Sequence, residues 1–440
     1  MLPFGVAMAS ELSGKSAARS ESSRSPRRQG VGEGERAGGG TDLAVYDADF
    51  FSAPIDREAA YTVKYDLRGV IFGASAADAI PLWVADMDLP CAPEIVAALR
   101  KRTDHPTFGY TIQPAEMWRA AKKWLWEEHG WEVGVDDFVF CAGVVTATAA
   151  VLWAFTEPGD TVLLMTPLYE PLQKVVTGAQ RCLRIYELEL RDGKYCIDWT
   201  RLAEALRGCK LLLFCNPHNP GGRVWDKQEL QMVAKLCRLE SVLLVSDEIW
   251  ADWCLFGHKH RPLALEAADG QPVITLMSPT KTWNLAGLHC SYLVIRDQAL
   301  RERYLQTVDY AFLHFGGTFA TTAMLAAYNN GWSWLQGVRR YVEANLRRCK
   351  TFLEERSISE VLPLLPEATY LLWLDCRGLG VPDPASFFKE EAGVILSSGR
   401  EFGGEATAGF ARLNAAVSRQ RLEKALELMA SAIERRRQSA

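Results

Sequence analysis

The stretch KLLLFCNP, residues 210–217, decides the fold class. Its apolar residues are continuous instead of alternating, which is typical of a strand whose two faces are both buried. Four further runs share this character: TVLLMTP (161–167), SVLLVSDE (241–248), PVITLMSP (272–279) and CSYLVIRD (290–297). Amphipathic patterns such as DKQELQMVAKLCRLE (226–240) lie between them. This alternation predicts an α/β fold with a large, mostly parallel sheet that is covered on both faces by helices.

The last third of the chain has a different order of elements. A helical pattern over 332–355 leads into the strand-like run TYLLWLDCRG (369–378). An amphipathic helix follows near the end of the chain, and its apolar stripe consists of Leu422, Leu426, Met429 and Ile433. We therefore expect a large domain over 90–324 and a smaller α+β domain that combines 46–89 with 325–440.

Residues 1–45 differ in composition from the rest of the chain. They are rich in Ser, Arg and Gly and contain few residues that could be buried, which predicts a disordered tail. Arg and Ser are also frequent in organellar transit peptides, so organellar targeting stays open, although the acidic residues and glycines favour a plain tail. The SGKS stretch (13–16) is not a phosphate loop, because Ala9 stands where the first glycine is required.

The overall composition excludes several classes of function. A formal net charge of −5 and a pI near 5.9 argue against a nucleic-acid or membrane-surface partner. The longest nearly uncharged apolar run, 142–155, is too short to span a bilayer. The eleven cysteines form no C-x-x-C pair and many lie in apolar runs, which favours reduced thiols in the cytoplasm.

Polar groups follow most of the predicted strands of the large sheet, at the edge where such sheets bind ligands. They are the backbone N–H groups of Val144 and Val145 after FVFCAG (138–143), Tyr169 after 161–166, Asn216 and Asn219 after 210–215, Asp247 after 242–246, and Ser278 and Lys281 after 272–277. Each group alone is more often a cap, a turn or a half-buried wall. Together they provide an amine, a carboxylate, an amide, an aromatic ring, a hydroxyl and a helix N-terminus.

This set matches the needs of one ligand, pyridoxal 5′-phosphate. Its aldehyde requires a lysine, and its ring nitrogen requires a carboxylate that keeps it protonated. Its phenolic oxygen needs hydrogen-bond donors, its ring needs a stacking partner, and its phosphate suits a helix N-terminus with hydroxyl groups.

Eight motifs then connect the sequence to a known family. They are PLWVADMDLP (81–90), FGYT (108–111), AGVV (142–145), TPLYEP (166–171), NPHNPGGRVW (216–225), SDEIW (246–250), SPTKTWNLAGL (278–288) and FARLNAA (410–416). With these motifs the chain resembles the fold-type I pyridoxal-phosphate enzymes, specifically the MalY/PatB group of cystathionine β-lyases, which is close to class I and II aminotransferases. The resemblance covers roughly nine-tenths of the chain, and PLWVADMD and KTWNLAGL point to the lyase group.

The resemblance implies a role for each matching residue. Lys281 would attach the cofactor and act as the acid and base, and Asp247 would pair with the ring nitrogen. Asn219 would bond the phenolic oxygen, Trp250 would lie near that oxygen, and Tyr169 would stack on the ring. The phosphate would be bound by Val144, Val145 and Ser278, the catalytic Tyr110 would reach the phosphate of the neighbouring subunit, and Arg412 would hold the substrate carboxylate. The implied assembly is a two-fold homodimer with shared active sites.

Three positions depart from the pattern of related enzymes. Trp250 replaces the usual Tyr or His, and an indole can donate but not accept a hydrogen bond. His289 stands where aminotransferases usually have a phosphate-binding Arg. Gly221 gives NPGG in place of the more frequent NPTG, a change that a tight turn tolerates.

Three functions remain open from the sequence. The chain is a β-lyase that cleaves L-cystathionine or other cysteine S-conjugates to pyruvate, ammonia and a thiol, an aminotransferase, or a non-catalytic cofactor-binding regulator. The resemblance favours the lyase. SPTK (278–281) also fits the S-x-x-K of serine acylases, but the K-T-G and S-D-N tripeptides that this class requires do not occur. HKH (258–260) is interpreted as a loop and not as a metal site.

Overall fold

The structure is a computed structural model and describes residues 46–439. The tail predicted over 1–45 lies outside the described residues. The strands are β1 (Ile80–Pro81), β2 (Phe138–Cys141), β3 (Thr161–Thr166), β4 (Cys182–Glu187), β5 (Glu189–Arg191), β6 (Lys194–Cys196), β7 (Cys209–Cys215), β8 (Leu243–Asp247), β9 (Val273–Met277), β10 (Ser291–Ile295), β11 (Leu362–Leu364), β12 (Leu371–Asp375), β13 (Val394–Ile395), β14 (Ser397–Ser398) and β15 (Phe410–Asn414).

The helices alternate with these strands. They are α1 (Ala48–Ser52), α2 (Val63–Asp66), α3 (Arg68–Phe72), α4 (Pro93–Thr103), α5 (Ala115–His129), α6 (Val144–Phe155), α7 (Pro171–Gly178), α8 (Trp199–Leu206), α9 (Lys227–Leu239), α10 (Pro279–Thr282), α11 (Gln298–Tyr310), α12 (Thr318–Asn330), α13 (Trp332–Glu355), α14 (Pro384–Ala392), α15 (Arg400–Gly403) and α16 (Arg419–Ser439). None of the helices in residues 46–439 is both long and apolar enough to cross a membrane.

A seven-stranded sheet with the order β2-β10-β9-β8-β7-β3-β4 forms the centre of the molecule. The pairings among β9, β8, β7, β3 and β4 are parallel, which confirms the predicted mostly parallel sheet. β10 runs antiparallel to both β2 and β9. The apolar pattern of 290–297 does not encode direction, because strands that are buried on both faces look alike in either orientation.

Both faces of this sheet are covered by helices, as the continuous apolar runs predict. In β7, Leu211 and Leu213 pack into the core that contains residues of α6 and α7. Leu212 and Phe214 point to the opposite face and pack into the core that contains residues of α8 and α9. Successive side chains of a strand point to opposite faces, so a strand between two helical layers must be apolar at every position.

A second, antiparallel sheet with the order β11-β12-β15-β14 comes from the last third of the chain. The apolar stripe of α16 is buried against it, as the periodicity predicts. β1 pairs in parallel with β13 in a separate two-stranded sheet, which joins the segment before residue 90 to the C-terminal third of the chain. The strands of the large sheet lie between residues 138 and 295, within the predicted large domain, but the domain boundaries themselves stay a prediction.

Candidate active site

Lys281 lies at the end of the large sheet on a short, well-defined turn. Ser278 caps α10 by accepting a hydrogen bond from the backbone N–H of Thr280, at 3.1 Å, and Pro279 takes the first helical position. The Lys281 Nζ donates to the carbonyl oxygen of Ala85 at 2.6 Å. Burial lowers the pKa of the Lys281 amine to about 8, although the negative charge of Asp86 opposes this shift. A lysine in this state loses its proton far more readily than a surface lysine.

Asp247 is the last residue of β8 and is buried. Its carboxylate accepts a hydrogen bond from the backbone N–H of Ile249 at 3.2 Å. Burial and, to a smaller extent, the neighbouring Glu248 raise the pKa of Asp247 to about 7, while the hydrogen bond from Ile249 and the charge of Lys281 oppose the shift. Among the described residues 46–439 the carboxylate forms no ion pair, so it is suited to pair with a cationic ligand group.

Arg412 lies on β15, in the second sheet, but points into the same site. Its Nη1 donates to the Oδ1 of Asn219 at 3.1 Å, and its Nη2 donates to the carbonyl oxygen of Trp83 at 3.1 Å. The Nη2 is also 3.3 Å from the Oγ of Ser397. Asn219 lies in the turn after β7 of the large sheet and Arg412 lies on a strand of the second sheet, so their contact joins the two sheets at the site.

The charge of Arg412 has no carboxylate partner within ion-pair distance among residues 46–439. The side chain is 4% exposed, and its Nε has no hydrogen-bond partner. Burial lowers its pKa to about 10, and Glu401 opposes this effect without forming an ion pair. Buried charges are normally paired, so a guanidinium in this state is prepared to bind an anion such as a substrate carboxylate.

The residues expected to meet a phosphate surround the start of α6 and the start of α10. Val144 and Val145 begin α6, and Gly143, which precedes them, has no side chain to cap the helix. The first N–H groups of this helix therefore lack intrahelical acceptors and can donate to an anion. Ser278 is buried and donates to the carbonyl oxygen of Cys290 at 2.8 Å, so its hydroxyl proton is engaged within the protein.

The two predicted tyrosines differ in their environment. Tyr169 follows β3 and is 42% exposed, and its pKa is raised by burial and responds to both Arg412 and Asp247, so it faces the site. Tyr110 is 96% exposed, and its ring packs on Phe315 with centroids 5.5 Å apart. Within the part of the chain that the structure describes, no contact joins Tyr110 to the other predicted site residues.

The three departures from the family pattern have different structural contexts. Trp250 is buried beside the lysine, with the Lys281 Nζ 5.7 Å from its ring centroid. His289 is exposed and has a backbone φ of 52°. At Gly221 an added Cβ would lie 2.5 Å from the ring of Tyr195, so the glycine is required by close packing and not merely tolerated.

Sequence reasoning missed several groups that hold these residues. Tyr370, 1% exposed, donates from its hydroxyl to the Ala85 carbonyl oxygen at 2.9 Å, beside Lys281. Ser397, which is also buried, donates to the Trp83 carbonyl oxygen at 2.9 Å. The PLWVADMD motif (81–88) contains Trp83 and Ala85 and therefore indicated this segment. A motif does not show, however, which backbone carbonyls accept hydrogen bonds from side chains.

A buried polar network lies behind Asp247 and Lys281. His260, from the HKH stretch, contacts the carboxylate of Glu248 at 2.7 Å. His129 contacts Asp252 at 2.9 Å, and the hydroxyl of Thr282 donates to the same carboxylate at 2.7 Å. Among residues 46–439 no group of three or more His, Cys, Asp or Glu could hold a metal ion. His260 is a buried partner of Glu248, and the HKH stretch lies outside the helices and strands, as its interpretation as a loop predicts.

Comparison with known proteins identifies the family of this site. Residues 77–429 match the family described as Aminotransferase class I and II. The cystathionine beta-lyase PatB of Bacillus subtilis is 37% identical over 385 residues, an alignment that covers 86% of this chain and 98% of PatB. Protein MalY of Escherichia coli is 32% identical over 393 residues, covering 87% of this chain and 98% of MalY.

Solved structures agree with these relatives. Cystalysin from Treponema denticola, which contains a pyridoxal 5′-phosphate cofactor, superposes with a TM-score of 0.82 at 32% identity, covering 88% of this chain and 98% of cystalysin. A PLP-bound C-S lyase from Staphylococcus hominis, in complex with L-cycloserine, gives a TM-score of 0.81 at 30% identity, with 87% and 98% coverage. The chain therefore has the fold of the type I pyridoxal-phosphate enzymes and belongs to the aminotransferase class I and II family, in the group that includes PatB and MalY.

Proposed function

We propose that this protein is a pyridoxal 5′-phosphate-dependent carbon–sulfur β-lyase that cleaves L-cystathionine or other cysteine S-conjugates to pyruvate, ammonia and a thiol. The observation that carries the proposal is the buried Arg412, which forms no ion pair with a carboxylate of residues 46–439 and lies in the same site as Lys281 and Asp247. A carboxylate held there belongs to an amino acid whose Cα faces the lysine. The relatives named as cystathionine β-lyases support this substrate class.

The residues present fit the cofactor. Lys281 would attach to its aldehyde, Asp247 would pair with its ring nitrogen, Asn219 and Trp250 would lie near its phenolic oxygen, Tyr169 would stack on its ring, and Val144, Val145 and Ser278 would surround its phosphate. When bound, the cofactor supplies an electron sink that acidifies the Cα–H bond of the amino acid. Burial raises the pKa of the Asp247 carboxyl to about 7, so this group is only partly charged at neutral pH. It would become fully charged beside a protonated ring nitrogen.

The protein's own groups perform the remaining steps. The planar fork of Arg412 orients the substrate through its carboxylate, which Lys could not do as well because its charge is a point charge. With the cofactor and substrate bound, the Lys281 amine would be the base that takes the Cα proton. A thiolate is a good leaving group, so its loss from the β-carbon should be faster than the reprotonation that leads to transamination.

The decisive experiment compares two products of the purified, cofactor-loaded protein. With L-cystathionine we expect pyruvate, ammonia and homocysteine. With an amino acid and 2-oxoglutarate we expect little glutamate. The Lys281→Ala variant is the matched control and should form neither product. Ready amination of 2-oxoglutarate without pyruvate from cystathionine would replace the lyase by an aminotransferase, and absence of both activities would favour a non-catalytic regulator.

We also propose that the protein works as a two-fold homodimer in the cytoplasm. Tyr110 lies in an exposed apolar patch with Phe108, Ile112 and Phe315, and such a patch is typical of a protein interface. In a dimer the Tyr110 hydroxyl would reach the partner's phosphate site, as the family resemblance implies. All eleven cysteines are free thiols, which suits a reducing compartment.

A further inference from the structure

The segment 83–86 contacts the site through its backbone and not through its side chains alone. The carbonyl oxygens of four successive residues each accept a hydrogen bond from a side chain of the site or of its wall. They are Trp83, which accepts from Arg412, Val84, which accepts from Asn414, Ala85, which accepts from Lys281, and Asp86, which accepts from Asn414. Two of the donors, Arg412 and Lys281, are the residues on which the proposed reaction depends.

At the lysine end, two donors share one acceptor. The Lys281 Nζ and the Tyr370 hydroxyl both donate to the Ala85 carbonyl oxygen, at 2.6 Å and 2.9 Å. The ring of Tyr370 is fixed by edge-to-face contacts with Trp250 and Trp253, each with centroids 4.8 Å apart. These contacts hold the ring in place, so its hydroxyl orients the carbonyl oxygen, and the carbonyl oxygen orients the free amine.

At the arginine end, the same arrangement occurs with a serine. The Ser397 hydroxyl donates to the Trp83 carbonyl oxygen at 2.9 Å, and its oxygen lies 3.3 Å from the Arg412 Nη2. The Arg412 Nη2 also donates to the Trp83 carbonyl oxygen. Ser397 therefore contacts both the backbone carbonyl and the guanidinium that this carbonyl orients.

The segment itself is anchored by a buried cluster of charges. Asp88, whose side chain is 1% exposed, pairs with Lys64 at 2.9 Å, with Arg57 at 2.6 Å and with Arg421 at 3.0 Å. Lys64 also donates to the Asp86 carbonyl oxygen at 3.1 Å. A buried ion-pair cluster of this kind resists displacement, because moving one member would leave its partners desolvated and unpaired.

We propose that residues 83–88 are the positioning frame of the active site, in which Tyr370 sets the Ala85 carbonyl that orients Lys281 and Ser397 sets the Trp83 carbonyl that orients Arg412. Both are positioning residues, since they act through the lysine and the arginine. The inference deepens the proposed function and rests on it. Its consequence is that the two ends of the frame control different kinetic constants.

Two single-group deletions separate the two ends. Tyr370→Phe removes only the hydroxyl at the lysine end, so kcat should fall about tenfold while KM changes less than about twofold, as expected for loss of one hydrogen bond in the proton-transfer step. Ser397→Ala removes the hydroxyl at the arginine end, so KM should rise about three- to tenfold with little change in kcat. Tyr186→Phe is the matched control, since its buried hydroxyl also donates to a backbone carbonyl, that of Asp198, but lies outside the site contacts.

A measurement on cofactor-free protein checks the frame without turnover. The rate at which Lys281 attaches added pyridoxal 5′-phosphate depends on the fraction of neutral amine, so its pH midpoint reports the state of this amine. In Tyr370→Phe the Ala85 carbonyl has one donor instead of two and holds the ammonium form more tightly, so the midpoint should move to higher pH. In Ser397→Ala and Tyr186→Phe it should stay at the wild-type value.

The outcomes distinguish the frame from the proposed function. An inactive wild-type protein would contradict the proposed function. An active wild type in which Tyr370→Phe and Ser397→Ala behave like Tyr186→Phe would overturn the frame. So would equal changes of kcat and KM in both variants, because a general loss of packing has that effect. A kcat effect with a shifted midpoint for Tyr370→Phe, together with a KM effect for Ser397→Ala, would establish it.

Discussion

Asp247 and Lys281 have opposite pKa shifts with the same cause. Burial penalises the charged form of each group, so the pKa of the carboxyl rises to about 7 while that of the amine falls to about 8. The pKa of each group is thereby brought close to neutral pH. The shifts belong to the cofactor-free protein, and both can be measured in that state.

The first prediction concerns the amine. Because covalent attachment requires the neutral form, the rate at which cofactor-free protein binds pyridoxal 5′-phosphate through Lys281 should rise with a midpoint near pH 8. An ordinary lysine would give a midpoint near 10.4. Stopped-flow absorbance between pH 6.5 and pH 10 measures it, with Lys281→Ala as the blank. A midpoint above about pH 9.5 would contradict the buried environment of this amine.

The second prediction concerns the stability of the cofactor-free protein. The folded pKa of Asp247, about 7, lies above its ordinary value of 3.8, so its contribution to stability is fully present below about pH 4 and is lost as pH rises through 7. Asp247→Asn removes this dependence. The unfolding temperature of the variant should therefore exceed that of the wild type at pH 8 by more than it does at pH 5.

Thermal unfolding scans at the two pH values test this difference, and each kcal/mol corresponds to roughly 1 °C for a chain of this length. Asp269→Asn is the control because Asp269 is exposed. The prediction fails if Asp247→Asn and Asp269→Asn have the same pH dependence. Such a result would mean that the Asp247 carboxyl is solvated in solution.

At the residue scale, the sequence indicated the candidate side chains of the site but not the groups to which they hydrogen-bond. Lys281, Asp247 and Asn219 follow strands of one sheet, and strand order places their side chains at one edge. Arg412 required the family resemblance, because it lies on a strand of the other sheet. Tyr370 and Ser397 were not predicted, since their role depends on backbone carbonyls that no residue pattern shows.

At the scale of elements, the turn after β7 is fixed by packing on two sides. Gly222 has φ of 65°, and an added Cβ would lie 2.2 Å from that of Pro366. Gly221 has no unusual φ but faces the ring of Tyr195, which is buried and accepts a hydrogen bond from the indole of Trp373 at 3.1 Å. A Thr at residue 221, as in the commoner NPTG, has no room unless this ring moves.

The third prediction follows from that contact. Gly221→Ala should destabilise the protein by about 1–3 kcal/mol, as overpacking does, and should weaken cofactor binding because Asn219 lies two residues away. Gly178→Ala is a matched control, since Gly178 ends α7 with no neighbour within 4 Å of an added Cβ. Thermal unfolding of both variants measures the difference. Equal stability of the two would show that the Tyr195 ring adapts.

The elements themselves were predictable to different degrees. β3, β7, β8 and β9 were evident because continuous apolar residues mark strands that are buried on both faces. β4 was not predicted, since it is the edge strand and most of its residues are exposed or only partly buried. Its sequence therefore lacks the apolar run that a buried strand requires.

At the scale of the whole molecule, the proposed dimer gives the fourth prediction. If Tyr110 completes the partner's site, mixing Tyr110→Ala with Lys281→Ala protein should restore about a quarter of the wild-type activity after subunit exchange, since half of the dimers then contain one intact site. Lys281→Ala mixed with Asp247→Ala is the control, because both residues belong to one subunit's site. No recovery after demonstrated exchange would contradict a shared site.

The pairing of β1 with β13 has a consequence for synthesis of the chain on the ribosome. Residues 80–88 rest on β13 and on the end of β15, which are made more than three hundred residues later. During translation this early segment lacks both of these strands, while the seven-stranded sheet can already assemble. We expect nascent chains that end near residue 330 to be cut by protease before residue 90 and protected within 138–295. Protection of both regions would show that the early segment packs against another part of the nascent chain.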